Sequence, residues 1–209
     1  MHQPLLFSRY ILTAGTIVVS LALLISAIAP FDRVTWWLEV IPVMVVFPLL
    51  WVTRKSFTWT GLLYALMSLH ALVLIFGGAY SYARVPLGFW MEDLFGLSRN
   101  PYDKIGHFMQ GFVPVLVARE LMLRRNWVNG YTIAGVLSVC VEMTVSALYE
   151  IVEWFAAVLL GQGAEEFLGT QGYEWDTQSD MGFALLGSVL AVVLLSRLHN
   201  RLIRELEIW

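Results

Sequence analysis

Six long apolar runs follow one another along the chain, at about residues 10–29, 36–52, 58–80, 103–123, 131–159 and 180–198. Each is near the ~20 residues an α-helix needs to cross a hydrocarbon layer. The pattern predicts an all-α polytopic membrane protein of about six transmembrane helices, forming one transmembrane domain over residues 1–209. The second run is short and carries Pro42 and Pro48, which favours a kink. The fifth is long and carries Glu142, Glu150 and Glu153, so it is either strongly tilted or continues beyond the bilayer as a helix. The first run ends in Ala27, Ile28 and Ala29, the small-x-small form of a secretory cleavage site. It is longer than an ordinary signal core, its flank is weakly basic and Pro30 would follow the cut, so it reads as a retained helix.

Composition excludes a soluble domain. Hydrophobic residues make up 58% of the chain and charged residues 14%, against roughly 25% charged in soluble proteins. The single cysteine, Cys140, excludes a disulfide framework and a cysteine-based metal site, and its place in the fifth run reads as a small buried hydrophobe. No basic nucleic-acid patch, low-complexity segment or internal repeat is present.

Charge distribution orients the chain. With the N-terminus inside, the cytoplasmic segments hold Arg9, Arg54, Lys55, Arg119, Arg124, Arg125, Arg197, Arg201 and Arg204, and the outer segments hold Arg33, Arg84, Arg99 and Lys104. Nine against four is the asymmetry of an N-in, C-in protein. Tryptophans 36, 37, 51, 59, 127 and 154 fall near span ends, where indoles favour the headgroup layer.

In that orientation three stretches deliver polar groups to the outer face. Asp103 and His107 open the fourth span, Glu150 and Glu153 lie in the outer half of the fifth, and Asp176 and Asp180 precede and open the sixth. Each pair is spaced three or four residues apart and shares a helix face. Carboxylates inside hydrocarbon are rare without a partner or a task, so the pattern predicts a site. Blander readings stand beside it. Asp103 and Asp180 suit helix N-termini, and Lys104 can snorkel to the headgroups or meet a lipid phosphate. His70 reads as a packed hydrogen-bonding group, Glu142 as either a neutral packing group near Ser138 and Ser146 or a functional one, and Glu120 with Arg124 as a solvated surface pair. Trp175 and Phe167 could fold the loop before the sixth span over the membrane as a lid, and Gly182 and Gly187 could support a homodimer.

The chemistry such a set allows is of two kinds. Oxygen ligands with one imidazole suit a divalent cation, held by Asp103, Asp176 and Asp180, which would clamp a phosphate and activate water. No specific metal motif is present, and without a metal the same groups act as general acid and base.

The stretches YDKIGHFMQGF at 102–112, YEIVEW at 149–154, FLGTQGYEWDTQSDM at 167–181 and GFALLGSVLA at 182–191 resemble the YjdF family of bacterial inner-membrane proteins. The resemblance implies an inner-membrane location and no particular reaction. More distantly, Asp103, Lys104, His107, Phe108, Glu150 and Asp180 are similar to the motif positions of VanZ-like membrane proteins. Glu153 departs from the Gln common there, and the segment from Met181 lacks the usual Asn. That resemblance implies an outer-face substrate, an envelope lipid or glycan precursor.

The expected function is a periplasmic-face site that binds or acts on an envelope lipid or lipid-linked precursor. His107, Glu150 and Glu153 would be catalytic, Lys104, Trp154 and Trp175 would bind substrate, and the aspartates would hold a cation or orient His107. The alternatives are a small proton- or cation-coupled transporter and a non-enzymatic membrane scaffold.

Overall fold

The computed structural model describes residues 3–160, 171 and 173–207. These residues form seven helices and no strand: α1 (Gln3–Ser26), α2 (Arg33–Thr53), α3 (Gly61–Tyr80), α4 (Pro86–Phe95), α5 (Tyr102–Arg124), α6 (Tyr131–Leu160) and α7 (Asp176–Glu207). Five of them, α1, α2, α3, α6 and α7, are long and apolar enough to cross a membrane. α5 has the length, 23 residues or about 34 Å at ~1.5 Å per residue. Its apolar character is broken by Asp103, Lys104, His107, Gln110, Arg119, Glu120 and Arg124. Helix ends extend past the apolar runs because hydropathy marks only the greasy part of each helix: α1 begins at Gln3 and α7 runs on to Glu207.

Local chemistry sets the ends. Asp32 accepts a 2.7 Å hydrogen bond from the Thr35 N–H and caps α2, and that bond holds its carboxyl below the usual value. Thr60 caps α3 by accepting from the Leu63 N–H. α4 lies between the third and fourth apolar runs. It starts with Pro86 in the first turn and stops at Gly96, whose φ of +61° is open to glycine without strain.

α3 and α5 form the middle of the bundle. α1 and α2 pack on α3, α3 packs on α5, and α6 and α7 pack on α5 and on each other, with α5 and α7 sharing the most extensive contact. Leu12, Leu63, Met67, Val113, Leu116 and Ala191 join α1, α3, α5 and α7 in one buried core. A second core, with Val19, Trp36, Val43 and Ala71, ties α1 to α2 and α3. The periphery is apolar: Leu24, Ile25, Val52, Val193 and Leu194 are all exposed, as on a surface solvated by lipid.

Close approach of α5 and α7 depends on glycine. A Cβ on Gly111 would stand 1.8 Å from the Ala184 carbonyl oxygen, and one on Gly187 would stand 2.1 Å from that of Phe108. Gly187 therefore serves packing within the chain rather than the homodimer contact expected of it, while Gly182 faces open space. Cys140 also differs from expectation. It is exposed on α6, because a helix apolar on nearly every side gives no sequence signal of which face turns inward.

Candidate functional site

The three polar pairs converge at one end of the bundle. Tyr102 starts α5 where Asn100 accepts its N–H at 3.1 Å and donates to the Val85 carbonyl at 3.0 Å, fixing α5 to the start of α4. Gln171 exchanges two hydrogen bonds with the Asn100 backbone, at 3.2 and 3.0 Å, and so holds the approach to α7 against the approach to α5. Asp103 and Lys104 of α5 then meet Asp176 and Asp180 of α7.

Lys104 is the hub of this meeting. Its Nζ lies 2.5 Å from Asp180, 2.8 Å from Asp176 and 3.5 Å from Asp103. The three ammonium donors are thus all aimed at aspartates, and the residue is buried. Lys104 is engaged as a brace, which leaves no donor for the headgroup contact expected of it. Asp176 is held a second time by Arg99 at 2.8 Å, and Arg99 in turn stacks over the Tyr173 ring.

His107, one turn deeper and buried, faces both ways. Its Nε2 lies 3.4 Å from Asp103 and 3.8 Å from Asp180, and its Nδ1 lies 2.9 Å from Gln110 and 3.7 Å from Glu150. Glu150 Oε1 has no hydrogen-bond partner, and Glu153 reaches the same imidazole. Five carboxylates (Asp103, Glu150, Glu153, Asp176 and Asp180) therefore share two permanent cations, Lys104 and Arg99, and one titratable imidazole.

Two sets of ligand atoms come within 4.8 Å of one another, Asp103–His107–Asp180 and His107–Glu150–Glu153. The first shares its aspartates with the Lys104 ammonium, which would repel a divalent cation placed there. Asp176, expected as a ligand, is in neither set, being held by Lys104 and Arg99. The second set has a free carboxylate oxygen and is the better cation-binding group of the two. Trp154 and Trp175 stand 65% and 57% exposed and line neither these sets nor the cavity beside them. The lid expected of Phe167 lies outside the described residues.

A cavity of about 390 Å³ opens beside His107. Its walls are apolar side chains of α2, α3, α5 and α6, among them Val43, Phe47, Met67, Ala71, Val113 and Val145. Its polar end is formed by Asp103, His107, Gln110, Glu153, Glu39, Tyr82 and Tyr149. Glu39 is a residue sequence reasoning passed over, buried in α2 with Tyr82 beside its carboxyl. A lone carboxylate in the run WWLEVIPVMVV was the available signal. His70 also lines the cavity, and its Nε2 is buried with no hydrogen-bond partner.

The opposite end of the bundle holds a second buried polar cluster. Glu120, 0% exposed, accepts from the Thr60 N–H at 3.1 Å, the Thr60 hydroxyl at 2.8 Å and Arg124 at 2.8 Å, and bonds His199 Nε2 at 2.9 Å. Arg119 donates to His199 Nδ1 at 3.3 Å and to Asn200 at 2.7 Å. A guanidinium only donates, so Nδ1 accepts and Nε2 carries the proton given to Glu120. The expected solvated pair of Glu120 and Arg124 is instead a buried brace of α3, α5 and α7, because Thr60 and His199 come from distant parts of the chain.

An apolar perimeter around buried ionic clusters defines a polytopic membrane protein, and the comparisons with known proteins name its kind. Residues 11–201 match the family described as "Predicted membrane protein (DUF2238)". The chain is 50% identical over 195 residues, covering 93% of both chains, to the inner membrane protein YjdF of Escherichia coli (strain K12). The chain belongs to this YjdF family of bacterial inner-membrane proteins. No solved structure matches it.

Proposed function

We propose that the protein binds one membrane lipid or lipid-linked envelope precursor, with its chain in the apolar cavity and its headgroup at His107, Glu153 and Glu39. The observation that carries this reading is the continuity of the cavity with the charged cluster. Its volume falls in the ~300–1,000 Å³ range of small-molecule sites, and an apolar wall with a few convergent polar groups is their usual lining. The cavity is bounded on one side by α2, which packs on α3, and on another by α6, which packs on α5 and α7. Val46 and Val145 line it and are 36% and 44% exposed, so a hydrocarbon chain enters sideways from the bilayer.

The headgroup end is rich in acceptors and its lysine is fully engaged, so it suits a headgroup bearing hydroxyl or amine groups rather than a bare anion. His107, flanked by Asp103 and Glu150, is placed to exchange a proton with such a group. With six spans and the positive-inside bias of the loops, this end faces the periplasm. The similarity of Asp103, Lys104, His107, Phe108, Glu150 and Asp180 to VanZ-like positions points to the same face.

Native mass spectrometry of the detergent-purified chain tests the reading. Wild type should retain one lipid, Ala71→Trp should lose it by filling the cavity, and Val193→Trp on the outer perimeter should keep it. A lipid-free wild type, or equal retention in Ala71→Trp, would refute the proposal.

A further inference from the structure

α6 carries further buried polar groups below Glu150. Ser138, Glu142 and Ser146 follow at four-residue steps on one helix face and are 0%, 1% and 0% exposed. Ser188, also 0% exposed, faces the Glu142 carboxyl from α7. These four residues belong neither to the lipid cavity nor to the lysine-braced cluster.

The hydrogen-bond directions are informative. Ser138 gives its hydroxyl proton to the Gly135 carbonyl at 2.8 Å, and Ser188 gives its own to the Leu185 carbonyl at 2.9 Å. While those bonds hold, both hydroxyls keep their lone pairs for another group. Neither oxygen of Glu142 has a hydrogen-bond partner, nor does Ser146 Oγ. α6 is packed against α5 and α7, and among the described residues no charged side chain of either acts on Glu142; Ser188 is the one polar neighbour that does. A buried carboxyl with neither oxygen hydrogen-bonded and no charged neighbour lacks a positive charge.

We infer that Glu142, with Ser138, Ser146 and Ser188, binds a single monovalent cation, a proton or an alkali ion, near the middle of the membrane. An all-oxygen donor set suits a hard cation, and one carboxylate balances one positive charge. A divalent ion would leave a net charge in hydrocarbon. The next four-residue step along the same face reaches Glu150, whose Oε1 also lacks a hydrogen-bond partner, so a polar stripe joins this site to the His107 cluster. The site is independent of the lipid reading, and either stands if the other fails.

Thermal unfolding of the purified full chain over a pH series, in sodium chloride or in choline chloride, tests the site against Glu142→Gln. In choline the wild-type midpoint should fall as pH rises and the bound proton leaves, and Glu142→Gln, whose amide is neutral throughout, should lack that part of the fall. Restoration of the wild-type midpoint by sodium, absent in Glu142→Gln, assigns an alkali ion; a fall that sodium does not restore assigns the proton. Parallel profiles for the two proteins in both salts overturn the inference. Where Glu142→Gln does not fold, wild type decides by mapped labelling with dicyclohexylcarbodiimide, an apolar reagent for protonated buried carboxyls. Modification of Glu142 should be lost at high pH or, for an alkali ion, on adding sodium. A Glu142 left unmodified at every pH overturns the inference.

Discussion

Replacing Glu120 by alanine is the sharpest probe of the distal polar cluster. The carboxylate makes four hydrogen bonds at 2.8–3.1 Å, to the Thr60 N–H and hydroxyl, Arg124 and His199, and is itself 0% exposed. Truncation strands those donors and leaves Arg119 beside a histidine that has lost its acceptor. Hydrogen bonds to charged groups contribute about 1.5–3 kcal/mol each when counted singly. They are not additive, and breaking a buried ion pair costs about 3–5 kcal/mol in all. For a chain of this size that corresponds to a fall of roughly 10 °C in the unfolding midpoint. Tryptophan fluorescence during heating in detergent measures it. Glu120→Gln, which keeps one acceptor oxygen, should fall between wild type and Glu120→Ala. The exposed pair Arg201–Glu205, also 2.8 Å apart, supplies the control. If Glu120→Ala shifts the midpoint no more than Arg201→Ala does, the brace is not buried as described and the reasoning fails.

Two further predictions concern the α5–α7 contact. Lys104→Met leaves Asp103, Asp176 and Asp180 without their shared ammonium and should destabilise by about 3–5 kcal/mol; its midpoint should recover as the pH is lowered and the aspartates take up protons, and an equal loss at every pH would count against the brace. Gly111→Ala pushes a methyl group into the Ala184 carbonyl and should cost at least about 1–3 kcal/mol by forcing the helices apart, whereas Gly182→Ala, which meets nothing within 4 Å, should melt like wild type.

The residues of the candidate site were legible where one segment carried the whole signal. Asp103 with His107 and Glu150 with Glu153 stand out because each pair falls on one helix face inside an apolar run, where ionised groups are rare. Glu39 had the same kind of signal without a same-face partner, and only the fold sets Tyr82 and His107 around its cavity. Glu120 was misread because its four-residue spacing to Arg124 describes an exposed pair equally well. Its burial depends on Thr60 and His199, which lie 60 and 79 positions away along the chain. α4 left no mark in the hydropathy pattern because its 10 residues are too few to show a membrane-length run. The direction of α6 toward its neighbours was illegible for a different reason. An apolar helix in lipid gains little from turning any particular face inward, so Cys140 carries no mark of its exposure.

The pairing of α5 with α7 also bears on how the chain enters the membrane during synthesis. Among the described residues, α5 is the one helix of spanning length whose composition does not favour the bilayer. The charges at its two ends find counterparts in α7: Asp176 and Asp180 for Lys104, and His199 and Asn200 for Arg119 and Glu120. α7 emerges from the ribosome only after all of α6. Until then Lys104 and Arg119 lack their α7 partners, while Glu120 already has Thr60 at the start of α3. α7 thus completes the ionic contacts of a helix made well before it, and a nascent chain halted within α6 holds α5 with Lys104 and Arg119 still short of those counterparts.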